Sequence, residues 1–340
     1  MKIINCFLGK SRGGIEIIAR DYAEACAELG FESELLSISN RNYTNYLIES
    51  KLPCRFIYSR GINPINVLHF IWHLKQAKAT IVFLHGTKAI EFGTHFLTKT
   101  LCPSIRFIGV SHGVTNKKYR KLKYALGIAD FLKDELNNLS IPYTYSCQNT
   151  TKIYDIPLST DTSQIPVIGA IGRDSPIKGW DILFDALSIL KKKQIPFHCR
   201  VSILKDNYAE QIRRLDLNDN VDFLGWVSDK TNFFSHTDIY CLPSRGEGMP
   251  LTVLEAMMHA KPVAASNCPG IVEILQNSNA GFIHPIEDAH KLAEDLAFLL
   301  THPQERKTMG QNARTHILQN FNRSNLPNRL KKIIENVYTH

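Results

Sequence analysis

The 340-residue sequence has no apolar run approaching the roughly 18 residues that cross a bilayer as a helix, so no membrane span is predicted. The stretch from Met1 to Gly14 is too short in apolar residues to read as a secretory leader. Eight cysteines (Cys6, Cys26, Cys54, Cys102, Cys147, Cys199, Cys241, Cys268) are scattered without a Cys-x-x-Cys pair. They read as free, mostly buried thiols in a reducing cytoplasm, with neither a zinc site nor a disulfide frame. There is no internal repeat and no low-complexity tract. A Gly-x-Ser-x-Gly elbow and a Walker A loop are also missing, which argues against a serine hydrolase and a P-loop enzyme. No Asp-x-Asp ends a predicted strand, so no metal is expected at the site.

What is present describes a globular protein with room for two cores: 44% of residues are hydrophobic and 21% charged. Charge is unevenly spread. Residues 1–160 carry 20 Lys+Arg against 12 Asp+Glu, whereas the remainder carries 20 of each. Five bases crowd into Lys117, Lys118, Arg120, Lys121 and Lys123, a cluster suited to an anionic membrane surface or a phosphorylated acceptor. A solvated helix face is the plainer reading of such a run. Nucleic acid is not expected as a partner, because no binding motif or aromatic stripe accompanies the bases.

Strand-like and helical patterns alternate along the chain, which argues for parallel strands with crossover helices. Strands are predicted at Lys2–Phe7, Phe31–Ser37, Arg55–Tyr58, Thr80–Leu84 and Ile105–Val110. A second series follows at Pro166–Ile171, Phe197–Ile203, Val221–Phe223, Ile239–Leu242 and Pro262–Ala265. A polar, proline-flanked stretch near Ile156–Ile165 marks the boundary, giving domains over 1–160 and 161–320. The segment from Pro327 to Tyr338 is predicted as an amphipathic helix burying Leu330, Ile333, Ile334 and Val337. The fold class expected is α/β, two Rossmann-like doubly wound domains facing a cleft.

The most informative motif is a pair of carboxylates, Glu247 and Glu255, around a predicted helix start at Pro250. Pro250 suits the first helical position, and the free N–H groups of Leu251 and Thr252 with the positive dipole end suit phosphate. Glu255 lies five residues into the helix, roughly 7.5 Å along it. That is about the distance from a diphosphate to the ribose of its nucleotide. Spacing alone equally describes a capped surface helix with two solvated glutamates. In Gly172-Arg173-Asp174-Ser175-Pro176-Ile177-Lys178-Gly179, a strand ends in a turn that can aim Arg173 and Lys178 at phosphate oxygens. Gly13-Gly14 open a helix where backbone N–H groups can approach an anion. His112 ends a strand and could bond hydroxyls or influence an acceptor proton; His85 also ends a strand, with no role assigned.

The stretch from Ser244 to Glu255, continuing through Lys261-Pro262-Val263-Ala264-Ala265, resembles the E-x7-E motif of retaining GT-B glycosyltransferases, specifically family 4 (glycosyl transferases group 1). The resemblance covers most of the C-terminal half and thins out before it. It implies that Glu247 contacts a transferred sugar, with Gly248 and Met249 beside it, and that Glu255 contacts the ribose. It further implies that Arg173 and Lys178 clamp the diphosphate, that Gly13 and Gly14 face it from the other domain, and that His112 orients the sugar. Phe223-Leu224-Gly225-Trp226-Val227 matches the family's base-pocket segment around Trp226. The helix at residues 321–340 is expected, by the same resemblance, to return to the first domain. Ser202-Ile203-Leu204-Lys205-Asp206 departs from the family's frequent Gly-x-Gly, and Lys205 could supply a phosphate or base contact there. Pro269-Gly270 replaces a common Gly-Gly.

The resemblance implies a retaining, metal-independent glycosyltransferase that needs no cofactor. It would move a sugar from a nucleotide diphosphate sugar, a UDP-sugar by preference, to a glycan or glycolipid acceptor. Lipopolysaccharide or other surface glycan synthesis is the expected setting, at or near the inner face of the cytoplasmic membrane. Two alternatives stay open: a non-hydrolysing nucleotide-sugar epimerase, and a non-catalytic donor-binding subunit of a polysaccharide assembly complex.

Overall fold

The computed structural model describes residues 1–9, 13–38, 50–57, 61–113, 117–154 and 165–340. Lys10, Ser11 and Arg12 of the glycine loop, Tyr58, Val114 and the predicted boundary from Ile156 to Gln164 lie outside the described residues. The chain divides into two compact units, Met1–Asn149 with Ser324–His340, and Thr150–Arg323.

The first unit is built on a parallel sheet. Its strands are β1 (Lys2–Phe7), β2 (Glu32–Ile38), β3 (Cys54–Ile57), β4 (Ile81–His85), β5 (Arg106–Ser111), β6 (Tyr124–Gly127) and β7 (Tyr143–Ser146), in the order β3-β2-β1-β4-β5-β6-β7. Helices cover both faces, so central strands are apolar throughout rather than alternating: Ile81, Val82, Phe83 and Leu84 are all fully buried. The helix Leu326–Thr339 belongs to this unit and packs on the helix Gly14–Glu28. Leu330, Ile333, Ile334 and Val337 are its buried face, and Pro327 stands at its start.

The second unit carries β8 (Val167–Ala170), β9 (His198–Val201), β10 (Val221–Phe223), β11 (Ile239–Leu242), β12 (Val263–Ser266) and β13 (Gly281–His284), all parallel, in the order β10-β9-β8-β11-β12-β13. In each sheet the order reverses beside one strand, between β1 and β4 and between β8 and β11. Doubly wound sheets bind ligands at the carboxyl ends of such strand pairs. Both architectures are the expected Rossmann-like type. Three short strands, β6, β7 and β13, were not legible in the pattern.

Two details differ from expectation. Pro250 is the N-cap, in an extended conformation (φ −71°, ψ 119°), and the helix begins one residue later, Leu251–Met258. The run of bases at Lys117–Lys121 forms a 3-10 turn rather than an α-helical face. Tyr119 anchors it, buried and donating its hydroxyl to the Val110 carbonyl at 3.1 Å. The eight cysteines are free thiols, all buried but Cys54.

Close backbone approach fixes two glycines of the second unit. A Cβ at Gly270 would stand 1.3 Å from the Gly248 carbonyl oxygen, so Pro269-Gly270 is where a helix start meets the Glu247 turn. Gly179 has φ +67°, and a Cβ there would lie 2.1 Å from the Pro243 oxygen. Gly30 has φ +80° with nothing within 4 Å of a Cβ. Gly30→Ala is therefore expected to cost about 1–2 kcal/mol, from its backbone conformation alone. Gly179→Ala should add about 1–3 kcal/mol of overpacking to a similar strain. Denaturant unfolding of both variants checks this; equal losses would mean that the Pro243 contact does not constrain the loop.

Candidate functional site

In the second domain, two loops leave the carboxyl ends of β8 and β11, on either side of the strand-order reversal. The β8 loop is tied down by side chains from its neighbours. Ser202 Oγ accepts from the Gly172 N–H at 2.8 Å and donates to the Gly172 carbonyl at 3.0 Å. Asp174 accepts from the Tyr208 hydroxyl at 3.0 Å and from the Asn207 amide, and the Trp180 indole donates to the Arg173 carbonyl at 3.0 Å. The departure from Gly-x-Gly is thus structural: Ser202 to Tyr208 hold the turn that carries Arg173. Lys205 itself bonds the Asn218 side chain at 3.0 Å.

Arg245 joins the two loops. Its guanidinium donates to both Asp181 oxygens (3.0 and 2.8 Å), to Glu287 (2.7 Å) and to the Pro176 carbonyl (2.6 Å). Its backbone N–H donates to the Ile177 carbonyl at 2.7 Å. The hydrogen bonds from Arg245 hold the Asp181 carboxyl below its usual range.

This clamp sets Lys178 against Glu247. Lys178 Nζ lies 2.5 Å from Glu247 Oε1, which also accepts from Ser244 Oγ at 2.7 Å. Both charged side chains are mostly buried, 14% and 11% exposed. Glu255 forms a second pair, with Lys230 Nζ at 2.6 and 2.7 Å from its two oxygens. Burial pushes the Glu255 carboxyl up, and Lys230 pulls it partly back. The buried Tyr240 lies beneath, donating to the Ile171 carbonyl at 3.2 Å; burial pushes its phenol well up. Met249 and Gly248 are buried in the turn. No side chain caps the helix that begins at Leu251 and Thr252, so its first N–H groups remain open to an anion. Arg173 is exposed and has no ion-pair partner among the described residues. Trp226 stands 59% exposed in the loop after β10.

The first domain holds the remaining candidates. Gly13 precedes the helix Gly14–Glu28, and its N–H is taken by the carboxylate of the buried Glu16. The anion expected at that N–H therefore meets an internal acceptor. Gly14 itself is exposed. His112, just past β5, is joined to His85 at the end of β4, 3.1 Å from Nε2 to Nδ1. Burial lowers both imidazoles, His112 to about 3, so both are neutral at physiological pH. A ring so hard to protonate is a hydrogen-bonding group rather than a base.

Lys230 and Asp181 were not singled out in the sequence, Ser202 and Arg245 stood there only within longer stretches with no role of their own, and no local signal marks what they bond. The arrangement as a whole offers two carboxylates with their own ammonium partners, an unpaired guanidinium and an uncapped helix start. Such a set suits a ligand that carries both hydroxyls and phosphates.

Replacing Lys230 isolates a partly buried carboxylate. Lys230→Met is expected to cost about 1–3 kcal/mol at pH 7.5. Without the ammonium the Glu255 carboxyl rises further, so the folded state holds its proton to higher pH than the unfolded chain does. Stability of the variant then falls with rising pH across that window, and its deficit shrinks as the pH drops toward 4.5, the ordinary value. Denaturant unfolding from pH 4 to 8 reads this directly; a deficit independent of pH would reject the pairing.

Residues 160–316 match the family described as glycosyl transferases group 1. An uncharacterized glycosyltransferase of Haemophilus influenzae is 28% identical over 149 residues, covering 43% of this chain and 42% of that protein. A lipopolysaccharide core biosynthesis mannosyltransferase of Rhizobium leguminosarum is 28% identical over 163 residues, 46% of each chain. The chain thus spans less than half the length of these curated relatives. Over nearly its full length it resembles the crystal structure of Anabaena HepE in complex with UDP-glucose, at a TM-score of 0.85 and 18% identity, covering 99% of this chain and 100% of that one. Residues 160–316 therefore carry the match to the glycosyl transferases group 1 family, within a chain whose two Rossmann-like domains have the GT-B fold.

Proposed function

We propose that the protein is a retaining, metal-independent glycosyltransferase that moves a sugar from a nucleoside diphosphate sugar to an acceptor hydroxyl in surface glycan synthesis. The observation that carries this reading is the pairing of Lys178 with Glu247, from the loops after β8 and β11, and of Lys230 with Glu255, with the unpaired Arg173 in the same loop as Lys178. A UDP-sugar is the favoured donor; the similar HepE structure is a complex with UDP-glucose.

In this reading Arg173 and Lys178 bind the diphosphate, with the N–H groups of Leu251 and Thr252. Glu255 accepts the ribose hydroxyls and Glu247 those of the transferred sugar. The bond between the anomeric carbon and the diphosphate oxygen breaks while the acceptor oxygen bonds that carbon on the same face. The acceptor proton passes to the departing diphosphate. Negative charge grows on that leaving group, and the partly buried Lys178, already held by the loop contacts, stabilises it with the exposed Arg173 beside the turn. His112 orients a hydroxyl and takes no proton.

The acceptor is proposed to be a glycan or glycolipid at an anionic membrane surface. Lys117, Lys118, Arg120, Lys121 and Lys123 supply charge. The helix Pro64–Gln76 adds an exposed apolar stripe of Ile65, Leu68 and Trp72, next to the helix Phe96–Leu101 with its exposed Phe96. Lys99 of that second helix donates to the Lys121 carbonyl at 2.8 Å, so stripe and bases share one region of the first domain. No helix among the described residues is long and apolar enough to cross a membrane.

Two measurements test these proposals. UDP-glucose and other UDP- and GDP-sugars are screened by thermal shift and nucleotide release, with and without EDTA. One donor should stabilise the protein and turn over slowly, unchanged by EDTA. Lys178→Ala should then lower kcat by about 10²-fold or more, the scale of a lost transition-state donor, while Glu255→Ala mainly raises the donor KM. Negligible effects from both substitutions would sink the site assignment, and no shift with any nucleotide would favour a non-catalytic role. For the membrane, Lys117→Ala/Arg120→Ala should weaken binding to phosphatidylserine vesicles at low salt about 30-fold, taking about 1 kcal/mol per base. A chain that stays in the supernatant with such vesicles has no membrane role of this kind.

A further inference from the structure

Three polar side chains from neighbouring strands stand in line inside the first domain. Asn5 lies in β1, His85 closes β4 and His112 follows β5. Asn5 Oδ1 is 3.1 Å from His85 Nε2, and His85 Nδ1 is 3.1 Å from His112 Nε2. Asn5 and His85 are shut off from solvent, with Tyr22 packed edge-on against the His85 ring at 5.4 Å between centroids. The line runs across the sheet where the strand order reverses, since β1 pairs with β4 and β4 with β5.

The chemistry of the line has a direction. With the Asn5 amide oxygen turned to it, an atom that can only accept, His85 Nε2 carries the hydrogen, and Asn5 Nδ2 is left buried without a hydrogen-bond partner among the described residues. A neutral imidazole then has a bare Nδ1, which in turn can only accept. His112 Nε2 must donate to it, and the lone pair of His112 falls on its own Nδ1. Burial keeps both rings neutral, which preserves this order. His85 thus has both nitrogens satisfied, as a structural histidine does. His112 does not: its Nδ1 is buried and has no hydrogen-bond partner among the described residues. Buried acceptors are rarely left open, and this one sits just past a strand's carboxyl end, where doubly wound sheets receive ligands.

We propose that Asn5 and His85 form a positioning relay that fixes His112 as its Nε2–H tautomer and presents the bare Nδ1 to a hydroxyl of the bound substrate. Naming that hydroxyl as the substrate's rests on the proposed transferase reading; the tautomer does not. His85 and Asn5 are positioning residues, because they act through His112. The other tautomer would present an N–H instead, turning His112 from an acceptor of the hydroxyl's hydrogen into a donor to its oxygen.

The test uses the full chain labelled with ¹⁵N-histidine, with the His112 resonances assigned by their loss in His112→Gln. Long-range ¹H–¹⁵N spectra at pH 7.5 should show His112 protonated at Nε2 and bare at Nδ1. In His85→Leu the preference should be lost, with both tautomers populated. His85→Asn, whose amide oxygen can stand where Nδ1 stood, should restore it. If His85→Leu fails to fold, as judged by its thermal melt, Asn5→Leu serves as the second variant, since it frees His85 to flip. A wild-type His112 protonated at Nδ1, or an unchanged tautomer in the folded variants, overturns the relay.

Turnover supplies the second readout. His85→Leu should lower kcat about as much as His112→Gln, with donor KM within about twofold, and the double variant should lose no more than the single ones. His85→Asn should recover most of the loss. Full turnover in a His85→Leu variant with scrambled tautomers overturns the relay's part in catalysis. Should no donor be turned over by the parent protein, the transferase reading fails on its own, and the spectra still decide the relay.

Discussion

Arg245 donates at once to Asp181, Glu287 and the Pro176 carbonyl, and through those bonds the loops after β8 and β11 are joined. Everything proposed for the second domain rests on that fastening. Lys178 and Glu247 come from loops 69 residues apart and meet only because the loops are joined. Gly179 lets the first loop pass directly against the Pro243 carbonyl, and Gly270 lets a third segment close on Gly248 from behind. Charge-assisted bonds to a planar guanidinium are directional, so the clamp fixes orientation as well as distance.

The two domains offer polar groups of opposite character. The second domain's set is ionic: each carboxylate faces an ammonium, which reduces the cost of holding charge in a partly buried place. A ligand rich in hydroxyls and phosphates can exchange for those internal partners, hydroxyls turning to the carboxylates and phosphates to the ammonium groups. The first domain's set is neutral, a line of an amide and two imidazoles whose burial suppresses protonation. Neutral chains of this kind carry orientation rather than charge, because each donor is determined by the acceptor behind it.

Much of the fold could be read from residue pattern, because central strands buried on both faces leave unbroken apolar runs such as Ile81 to Leu84. Strands at the margins could not. Every residue of β7 is half-buried and β13 mixes buried with exposed positions, so neither shows an apolar run or a clean alternation. β6 is only four residues long and sits directly behind a run of bases that dominates its neighbourhood. The site divides in the same way. Glu247, Glu255, Arg173 and Lys178 lie in compact segments whose spacing carries meaning by itself. Lys230, Asp181 and Ser202 reach the site only through tertiary packing, across 25 to 64 residues of chain in their contacts. Asn5 and His85, 80 residues apart, meet because β1 and β4 are sheet neighbours. Pro250 marked the helix start to within one residue, since its fixed φ suits the cap as well as the first turn.

The first domain is assembled from two separated pieces of sequence, residues 1–149 and the closing helix 326–339 that lies on the helix 14–28. During synthesis from the N-terminus, all seven of its described strands emerge before the second domain begins, yet the face of the helix 14–28 on which the helix 326–339 packs stays uncovered throughout. The second domain can reach its own fold while the first still waits for its last element. Covering that face is a long-range closure, across some three hundred residues of chain, rather than a local one. Loss of the helix 326–339 would therefore strip an apolar face of the first domain, although in sequence that helix follows the second.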